Sequence, residues 1–563
     1  MNLLLPKPPP YDPLEWARKP LFERGRMVCA AWAVQGYGAP TSALLFYSLK
    51  VFLYIAAWSA FCSTSPGLGG LGRLPEWWLS PIAFQKAILW SALFEGLGLG
   101  CGSGPLTGRY FPPFGGALYF LRPGTTKLSL LPKLPLLGGT RRTLLDVALY
   151  AALCAALLRA LLAPAIGPEH LWPIVLLVPV LALCDKTTFL ALRGEHYWTT
   201  AVVFLFASDW IAGAKAVQLA LWFFAGFSKL NHHFAPVVCV MTSNSPVLRF
   251  EWLRKRMYRA YPDDLRPSSL ASWMGHAGTT LELSVPVVLG LATHAGPLLW
   301  VGLAMMMGLH LYITSNVPMG VPIEWNFMVA YGAWALFYAH PETSVLQVGP
   351  WPLALFLVTV LLVVPVLGNL FPAKLSFLAS MRYYAGNWAC SVWLFKKGSE
   401  EKLKKLTKSA AWVYDQLALF YDQPTAVGLV GKVVAFRMMH LHGRALPLLV
   451  PKALGGAALE EYEWVDGEIV AGLVLGWNFG DGHLHDEALL AAVQEQCGFE
   501  EGELRCVFLE AQPLGKTTLA WRVADAKSGQ REAGVVEVGE LLSRQPWEPP
   551  AGGASAIAGG ARA

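Results

Sequence analysis

The chain has 563 residues, of which 55% are hydrophobic and only 15% are charged. This composition is typical of a polytopic membrane protein with soluble additions and argues against a soluble globular protein. The formal net charge of +6 is modest and the basic residues lie mostly between apolar runs, so no nucleic-acid partner is predicted. The 23 Trp residues suit a chain with many membrane–water interfaces.

Apolar runs predict an all-α polytopic membrane domain of about ten helices over 42–368, preceded by a cytoplasmic N-terminal arm at 1–41. Several runs are shorter than the roughly 20 residues that a full crossing needs. The predicted spans are 42–62, 83–100, 143–163, 171–184, 197–212, 214–230, 273–293, 298–316, 325–340 and 350–368.

Basic residues alternate between successive loops. The N-terminal arm and the loops after the second, fourth and sixth spans are rich in Lys and Arg, whereas the loop after the first span has only Arg73 and the connection 164–170 has none. The positive-inside rule therefore predicts a multi-pass protein of the cell membrane with a cytoplasmic N-terminus. The C-terminus is predicted to be cytoplasmic as well, although the turn 317–324 also lacks Lys and Arg.

The loop at 96–127 is dense in Gly and Pro, which favours a re-entrant or interfacial loop over a nucleotide-binding one. The predicted spans on either side place this loop at the lipid bilayer. Nine cysteines are scattered without a CxxC pair, so neither a disulfide framework nor a zinc site is predicted. The HxH pair His483/His485 is interpreted as a polar loop, with Asp486 as the N-cap of the next helix, and no metal is predicted.

The character of the chain changes after Gly368. Residues 369–424 are interpreted as a juxtamembrane linker whose charged part, 396–410, either lies along the membrane surface or forms a solvated helix face. A small soluble α+β domain is predicted at 425–547, and the Gly/Ala-rich tail at 548–563 is predicted to be disordered. The predicted elements of the soluble domain are strands at 445–450, 468–477, 504–510 and 517–523 and a helix at 486–496.

A lysine closes the apolar run LWFFAGFSKLNHHF at 221–234. An ammonium at the edge of hydrocarbon is costly, and Lys229 is followed at once by Asn231 and two histidines. A buried lysine readily becomes a base or nucleophile. The alternative is a lysine that marks a helix end and extends its ammonium to the interface.

Polar groups recur in the later spans, where lipid is expected. Each needs a partner to offset its desolvation, so the pattern favours a polar chamber between helices, although pairing among these groups alone explains it too. These residues are Asp185, Arg193, Glu195, His196, Asp209, Lys215, Glu282, His310, Glu324 and Asn326.

Four segments together resemble a known family. AGFSKL at 225–230 resembles the Ala-Gly-x-x-Lys-Leu signature of vitamin K-dependent gamma-glutamyl carboxylase and its bacterial relatives, the HTTM (horizontally transferred transmembrane) superfamily. The stretch 187–206 is similar to the family's Arg/His-Tyr segment, LELSVPVVLG at 281–290 to its Glu-x-x-x-Pro helix, and GLHLYITSNVPMG at 308–320 to its Phe-His-x-x-Asn element. The resemblance covers roughly residues 140–340. The whole chain also resembles an uncharacterised family of bacterial transmembrane proteins known from actinobacteria and myxobacteria.

The resemblance implies roles for individual residues. Lys229 matches the base that deprotonates vitamin K hydroquinone, and His310 matches the family histidine. Glu282 and His196, in matched segments, are further catalytic candidates. Arg193, also in a matched segment, and Asn231, which follows Lys229 closely, are the cofactor-binding candidates. The chain departs from the pattern at Leu309, where Phe is expected, and at a late asparagine, Asn316. It also lacks the large lumenal region that binds the propeptide in animal carboxylases.

Two hypotheses follow for the function. In the first, this is a membrane enzyme that uses Lys229 as a base on a quinone or another lipid-soluble substrate. In the second, it is a non-catalytic lipid-binding, transport or scaffold protein whose polar groups form a docking or permeation site. Both imply the lipid bilayer and a hydrophobic small molecule or lipid as partners. Whether a quinone-sized pocket contains the Lys229 amine is the observation that bears most on this choice.

Overall fold

The computed structural model describes residues 3–100, 104–206, 209–315, 322–383 and 386–549. These residues are mostly helical, with 24 α-helices, a small two-stranded sheet and a five-stranded sheet near the C-terminus. The prediction of about ten helices over 42–368 is not confirmed, because short helices in the loops of that region add to those that overlap the predicted spans. Most of the predicted tail at 548–563 lies outside the described residues.

Helices α1 to α18 build the N-terminal arm and the membrane region. They are α1 (Pro13–Trp16), α2 (Leu21–Gln35), α3 (Thr41–Cys62), α4 (Leu74–Trp77), α5 (Pro81–Gly96), α6 (Gly116–Phe120), α7 (Leu144–Leu162), α8 (Pro168–Cys184), α9 (Lys186–Ala191), α10 (Tyr197–Phe206), α11 (Trp210–Phe227), α12 (Phe234–Asn244), α13 (Glu251–Arg256), α14 (Ser269–Leu291), α15 (Pro297–Thr314), α16 (Ile323–Gly332), α17 (Trp351–Val358) and α18 (Val364–Leu370).

Each of the ten predicted spans overlaps one of these helices. By length and composition, however, five helices within the described residues are able to cross a membrane: α3, α7, α11, α15 and the continuous run Trp351–Leu370 that includes α17 and α18. Helices such as α5 and α10, with 16 and 10 residues, are shorter than these five. Helix α14 is long enough, with 23 residues, but it is less apolar.

The C-terminal region contains a five-stranded antiparallel sheet in the order β4-β3-β5-β6-β7. Most residues of β3 and β5 are buried, and Val392 of β3 lies opposite both Asp466 of β4 and Val507 of β5. The strands are β1 (Tyr258–Ala260), β2 (Asp264–Pro267), β3 (Cys390–Lys396), β4 (Tyr462–Asp466), β5 (Leu504–Leu509), β6 (Thr518–Asp525) and β7 (Gly529–Glu537). The helices of this region are α19 (Val413–Ala418), α20 (Gln423–Met439), α21 (Leu446–Leu454), α22 (Gly467–Leu475), α23 (Glu487–Cys497) and α24 (Val538–Ser543).

The strands predicted at 504–510 and 517–523 and the helix predicted at 486–496 are confirmed as β5, β6 and α23. The strands predicted at 445–450 and 468–477 are wrong, because these segments form α21 and α22. Both are short apolar runs, which periodicity cannot assign to strand or helix. Their caps decide the outcome: the Asp466 side chain caps the start of α22, and left-handed glycines end both helices.

Two segments outside the predicted soluble domain belong to or contact this sheet region. Strand β3 lies within the predicted linker 369–424. The Gly-rich loop packs against α22, where a Cβ on Gly108 would lie 2.5 Å from Ile469, and the Tyr119 hydroxyl donates to the Leu473 carbonyl at 2.7 Å. The sheet region therefore contacts the Gly-rich loop that follows α5.

Candidate functional site

A cavity of about 390 Å³ lies among α11, α12, α14, α15 and α16. Most of its wall is apolar, with side chains such as Leu221, Val238, Met241 and Leu281. Its polar or charged lining residues include Arg193, Lys229, Glu282, His310, Asn326 and Tyr383. We call this cavity the chamber.

Lys229 lies just beyond the end of α11. Ser228 closes the helix, and the Lys229 backbone N–H donates to the Gly226 carbonyl at 3.0 Å, so the side chain leaves the last turn toward α14. There its amine forms an ion pair with the carboxylate of Glu282, and it lies 5.2 Å from the ring centre of Phe234. The two paired side chains are 8% and 7% exposed.

Because the pair is buried, each charge depends on the other for its stability. A carboxylate and an ammonium that leave water together offset part of each other's desolvation cost. Removal of either partner leaves an uncompensated charge in an apolar wall, which is strongly unfavourable. The chamber therefore contains a fixed ion pair in a wall that is mostly apolar.

His310 lines the chamber with both ring nitrogens engaged. Its Nε2 accepts a hydrogen bond from the Trp222 indole at 3.0 Å, and its Nδ1 lies 2.5 Å from the Asn326 amide oxygen. Since Nε2 is the acceptor, this network assigns the proton to Nδ1. Asn326 also donates to the His310 carbonyl at 3.0 Å. The arrangement fixes the wall of the chamber and favours a positioning role for His310 over that of a free base.

Arg193 reaches the chamber between two aromatic rings. Its guanidinium carbon lies 5.6 Å from the Trp325 ring centre and 4.6 Å from that of Phe479, and Glu95 lies 4.0 Å from its Nε. The residue has a left-handed backbone, with φ of 51°. A guanidinium held between rings gains cation–π energy, so Arg193 joins the membrane helices to the C-terminal loop that carries Phe479.

His196 lies behind the chamber rather than in its wall. Its Nδ1 accepts a hydrogen bond from the Trp325 indole at 3.2 Å, and its ring stacks on Tyr197 with centres 4.5 Å apart. Near it, the Tyr383 hydroxyl donates to Glu195 at 2.9 Å. His196 thus acts on the chamber through the orientation of Trp325.

Asn231 points away from the chamber. Its amide nitrogen donates to the Pro513 carbonyl at 3.2 Å, and its amide oxygen accepts from the Gly515 backbone at 3.3 Å. These contacts tie the end of α11 to the C-terminal region. Asn231 is therefore placed to anchor the chain segment that leads to the sheet, two residues from Lys229.

The remaining polar groups singled out in the sequence have partners elsewhere. Asp185 pairs with Arg142 at 2.5 Å, and Glu324 pairs with Lys50 at 2.8 Å. The Lys215 ammonium donates to two backbone carbonyls at the far end of α11. Only part of the polar set therefore forms the chamber, and Asn316 lies outside the described residues. Within those residues, no three His, Cys, Asp or Glu side chains are arranged to hold a metal ion.

Sequence reasoning missed four residues that shape the chamber: Trp222, Trp325, Tyr383 and Phe479. Trp222 and Trp325 lie close in sequence to residues that were singled out. The N–H group of a buried indole needs a hydrogen-bond acceptor, and a buried histidine is able to supply one. Tyr383 and Phe479 come from the C-terminal part of the chain. No local pattern connects them to Lys229.

The spans and the chamber define a multi-pass helical membrane protein with a mostly apolar internal cavity and a C-terminal sheet region. The chain belongs to the family described as "Transmembrane protein of unknown function (DUF3556)", which matches residues 1–555. No curated protein and no solved structure matches the chain.

Proposed function

We propose that the protein binds a lipid-soluble ring compound, of the quinone or hydroquinone type, in the chamber and exchanges a proton with it through the Lys229–Glu282 pair. The observation that carries the proposal is the presence of one buried ion pair in the wall of a mostly apolar cavity. Small-molecule sites commonly combine an apolar wall with a few polar groups that fix orientation. The resemblance to the carboxylase signature adds support, since the matching lysine acts on a hydroquinone.

The ion pair suggests how the roles divide. An ammonium that already carries its proton cannot accept another, so the acceptor in this arrangement is the Glu282 carboxylate. A ligand hydroxyl at the pair transfers its proton to a Glu282 oxygen, and the Lys229 ammonium stabilises the oxyanion that forms. This differs from the role that the resemblance implies for Lys229, namely that of the base itself.

Non-catalytic binding is the second candidate. The engagement of both His310 nitrogens favours it, because the chamber then offers one acid–base unit rather than a set of them. In that case the pair only orients a polar head, and the ligand keeps its proton.

The test uses 4-nitrophenol, a lipid-soluble ring compound whose neutral form is colourless and whose anion is yellow. The probe is titrated into the full chain in lipid nanodiscs at a pH where the free probe is neutral. We expect saturable binding with the yellow anion in the wild type. Lys229→Met should lower the affinity at least tenfold or leave the bound probe colourless.

Lys215→Met is the matched control, because it removes a buried lysine from the opposite end of the same helix. It should bind the probe as the wild type does. Saturable binding of a colourless probe in the wild type favours the non-catalytic candidate. If the wild type shows no saturable binding, or if Lys229→Met and the wild type give the same spectra, the proposal is wrong.

A further inference from the structure

Helices α14 and α15 are antiparallel neighbours joined by the short connection 292–296, and they pack closely near that connection. A Cβ on Gly302 of α15 would lie 2.6 Å from the Leu289 side chain of α14 and 3.2 Å from that of Val288. The helices are therefore in direct contact at this end, and the contact leaves no passage between them.

Toward their other ends, the two helices leave space at two glycine positions. Among the described residues, a Cβ on Gly308 of α15 would meet nothing within 4 Å, and one on Gly278 of α14 would meet only Phe234, at 3.8 Å. Two glycines thus mark a gap in the wall, at the level of the chamber.

The residues that border this gap are in contact with both the chamber and the outer surface of the bundle. Trp273, Ala277, Gly308 and Tyr312 line the chamber and are also exposed on the outside of the bundle, with Trp273 67% and Tyr312 38% exposed. A residue with both properties lies at a mouth rather than in a closed wall. The chamber is therefore open sideways between α14 and α15.

The outward surface of α15 beside this mouth is apolar. Helix α15 is long and apolar enough to span a membrane, and its outward residues include Val301 and Leu311, which are 51% and 65% exposed. On a helix that spans the membrane, such a surface lies against lipid. A molecule that enters through the gap therefore comes from the bilayer.

The volume of the chamber limits what it can enclose. At about 390 Å³ it lies near the lower end of the range for small-molecule sites, roughly 300–1,000 Å³. It accommodates a ring, and a long chain attached to that ring has to leave through the gap.

We propose that the gap between α14 and α15 is a lateral opening for a single-chain amphiphile, whose polar head lies in the chamber while its apolar chain remains in the bilayer. The position of the head at Lys229 rests on the proposed function. The opening itself does not, because it follows from the space at Gly308 and from the exposed residues that line the chamber there.

The test uses a long-chain alcohol that carries a photoreactive diazirine beside its hydroxyl group. The full chain is reconstituted in vesicles with this probe, irradiated, and mapped by mass spectrometry. We expect cross-links on Val238 and Met241, which lie on the α12 wall of the chamber and are less than a tenth exposed. Gly308→Phe, and separately Ala277→Phe, should fill the gap and reduce those cross-links at least fivefold.

Val301→Phe is the control, since it adds the same ring to the lipid-facing surface of α15 away from the chamber. It should leave the α12 cross-links unchanged. Labelling confined to outward residues in the wild type overturns the proposal, as does α12 labelling that persists in both gap variants. The probe has no acidic ring, so a failure of 4-nitrophenol to bind leaves this result interpretable.

Discussion

Lys229, just past the end of α11, and Glu282, in the middle of α14, form a buried ion pair across 53 residues of sequence. The pair joins two helices that both line the chamber. It also places the two charges of the site on different segments, so that any movement of α14 relative to α11 changes the distance between them. The structure of the site and the stability of the bundle therefore depend on the same contact.

The first prediction concerns stability. Lys229→Met and Glu282→Leu should each lower the free energy of unfolding by about 3–5 kcal/mol, because each leaves a buried charge without its partner. The double variant should be destabilised by much less than the sum, because it leaves neither charge. A double-mutant cycle in detergent, measured by thermal or denaturant unfolding, gives the coupling. Additive losses would show that the pair contributes no coupling.

The second prediction separates the two roles considered for Lys229. Lys229→Arg keeps a positive charge that pairs with a carboxylate, but arginine does not deprotonate in proteins. If Lys229 is the counter-charge, this variant should still bind 4-nitrophenol as its yellow anion, with affinity within about tenfold of the wild type. A colourless bound probe in Lys229→Arg, together with a yellow one in the wild type, would instead identify Lys229 as the base. The measurement is the absorbance titration in nanodiscs.

The sequence was informative where burial cost alone decides the structure. Lys229, Glu282 and His310 lie in apolar spans, and the cost of leaving them in lipid predicts that they face inward. They do line one cavity. The sequence did not predict their partners, because these depend on how the helices pack. Lys229 pairs with Glu282, and His310 forms hydrogen bonds with Trp222 and Asn326.

The fold of the C-terminal region was harder to predict from the sequence. Strand β3 supplies a central strand of the sheet from a segment interpreted as a linker, and its neighbour β5 lies more than 100 residues later. Long-range antiparallel pairing leaves no local trace beyond an apolar run. The segments of α21 and α22 are also short apolar runs, so they resemble strands until their capping residues are considered.

The third prediction concerns sidedness. Loops that the charge pattern places in the cytoplasm contact the C-terminal region: Thr140 donates to Glu495 at 2.8 Å, Lys186 pairs with Asp486 at 3.9 Å, and the Leu265 backbone donates to Gln545 at 2.8 Å. The C-terminal region should therefore be cytoplasmic, and the α14–α15 connection should lie outside.

A membrane-impermeant maleimide tests this on intact cells. It should label His294→Cys, in the exposed α14–α15 connection, and leave Ser528→Cys, in the exposed turn between β6 and β7, unlabelled until the cells are opened. The unmodified protein provides the background. Labelling of both positions in intact cells contradicts the predicted topology.

A charged cluster in the C-terminal region supplies a pH-dependent contribution to stability. His483 lies between Asp481 and Glu510, with ion-pair distances of 3.5 Å and 3.4 Å, and its side chain is 17% exposed. Burial alone lowers the pKa of a histidine, but the hydrogen bonds to these two carboxylates outweigh burial and raise the pKa of His483 to about 9. The same contacts hold the pKa of Asp481 and that of Glu510 below their usual values, against the effect of burial.

The last prediction follows from the sign of these shifts. A histidine whose folded pKa lies above its unfolded value of about 6.5 contributes its full stability below that pH and loses it as the pH rises toward 9. The loss amounts to about 3 kcal/mol over this window, from about 2.5 pKa units at 1.36 kcal/mol each. Thermal unfolding of the full chain should therefore show a falling midpoint between pH 6.5 and 9. In His483→Gln, which carries no charge at either pH, the fall should be clearly smaller, and an equal fall in both proteins would exclude this cluster as its source.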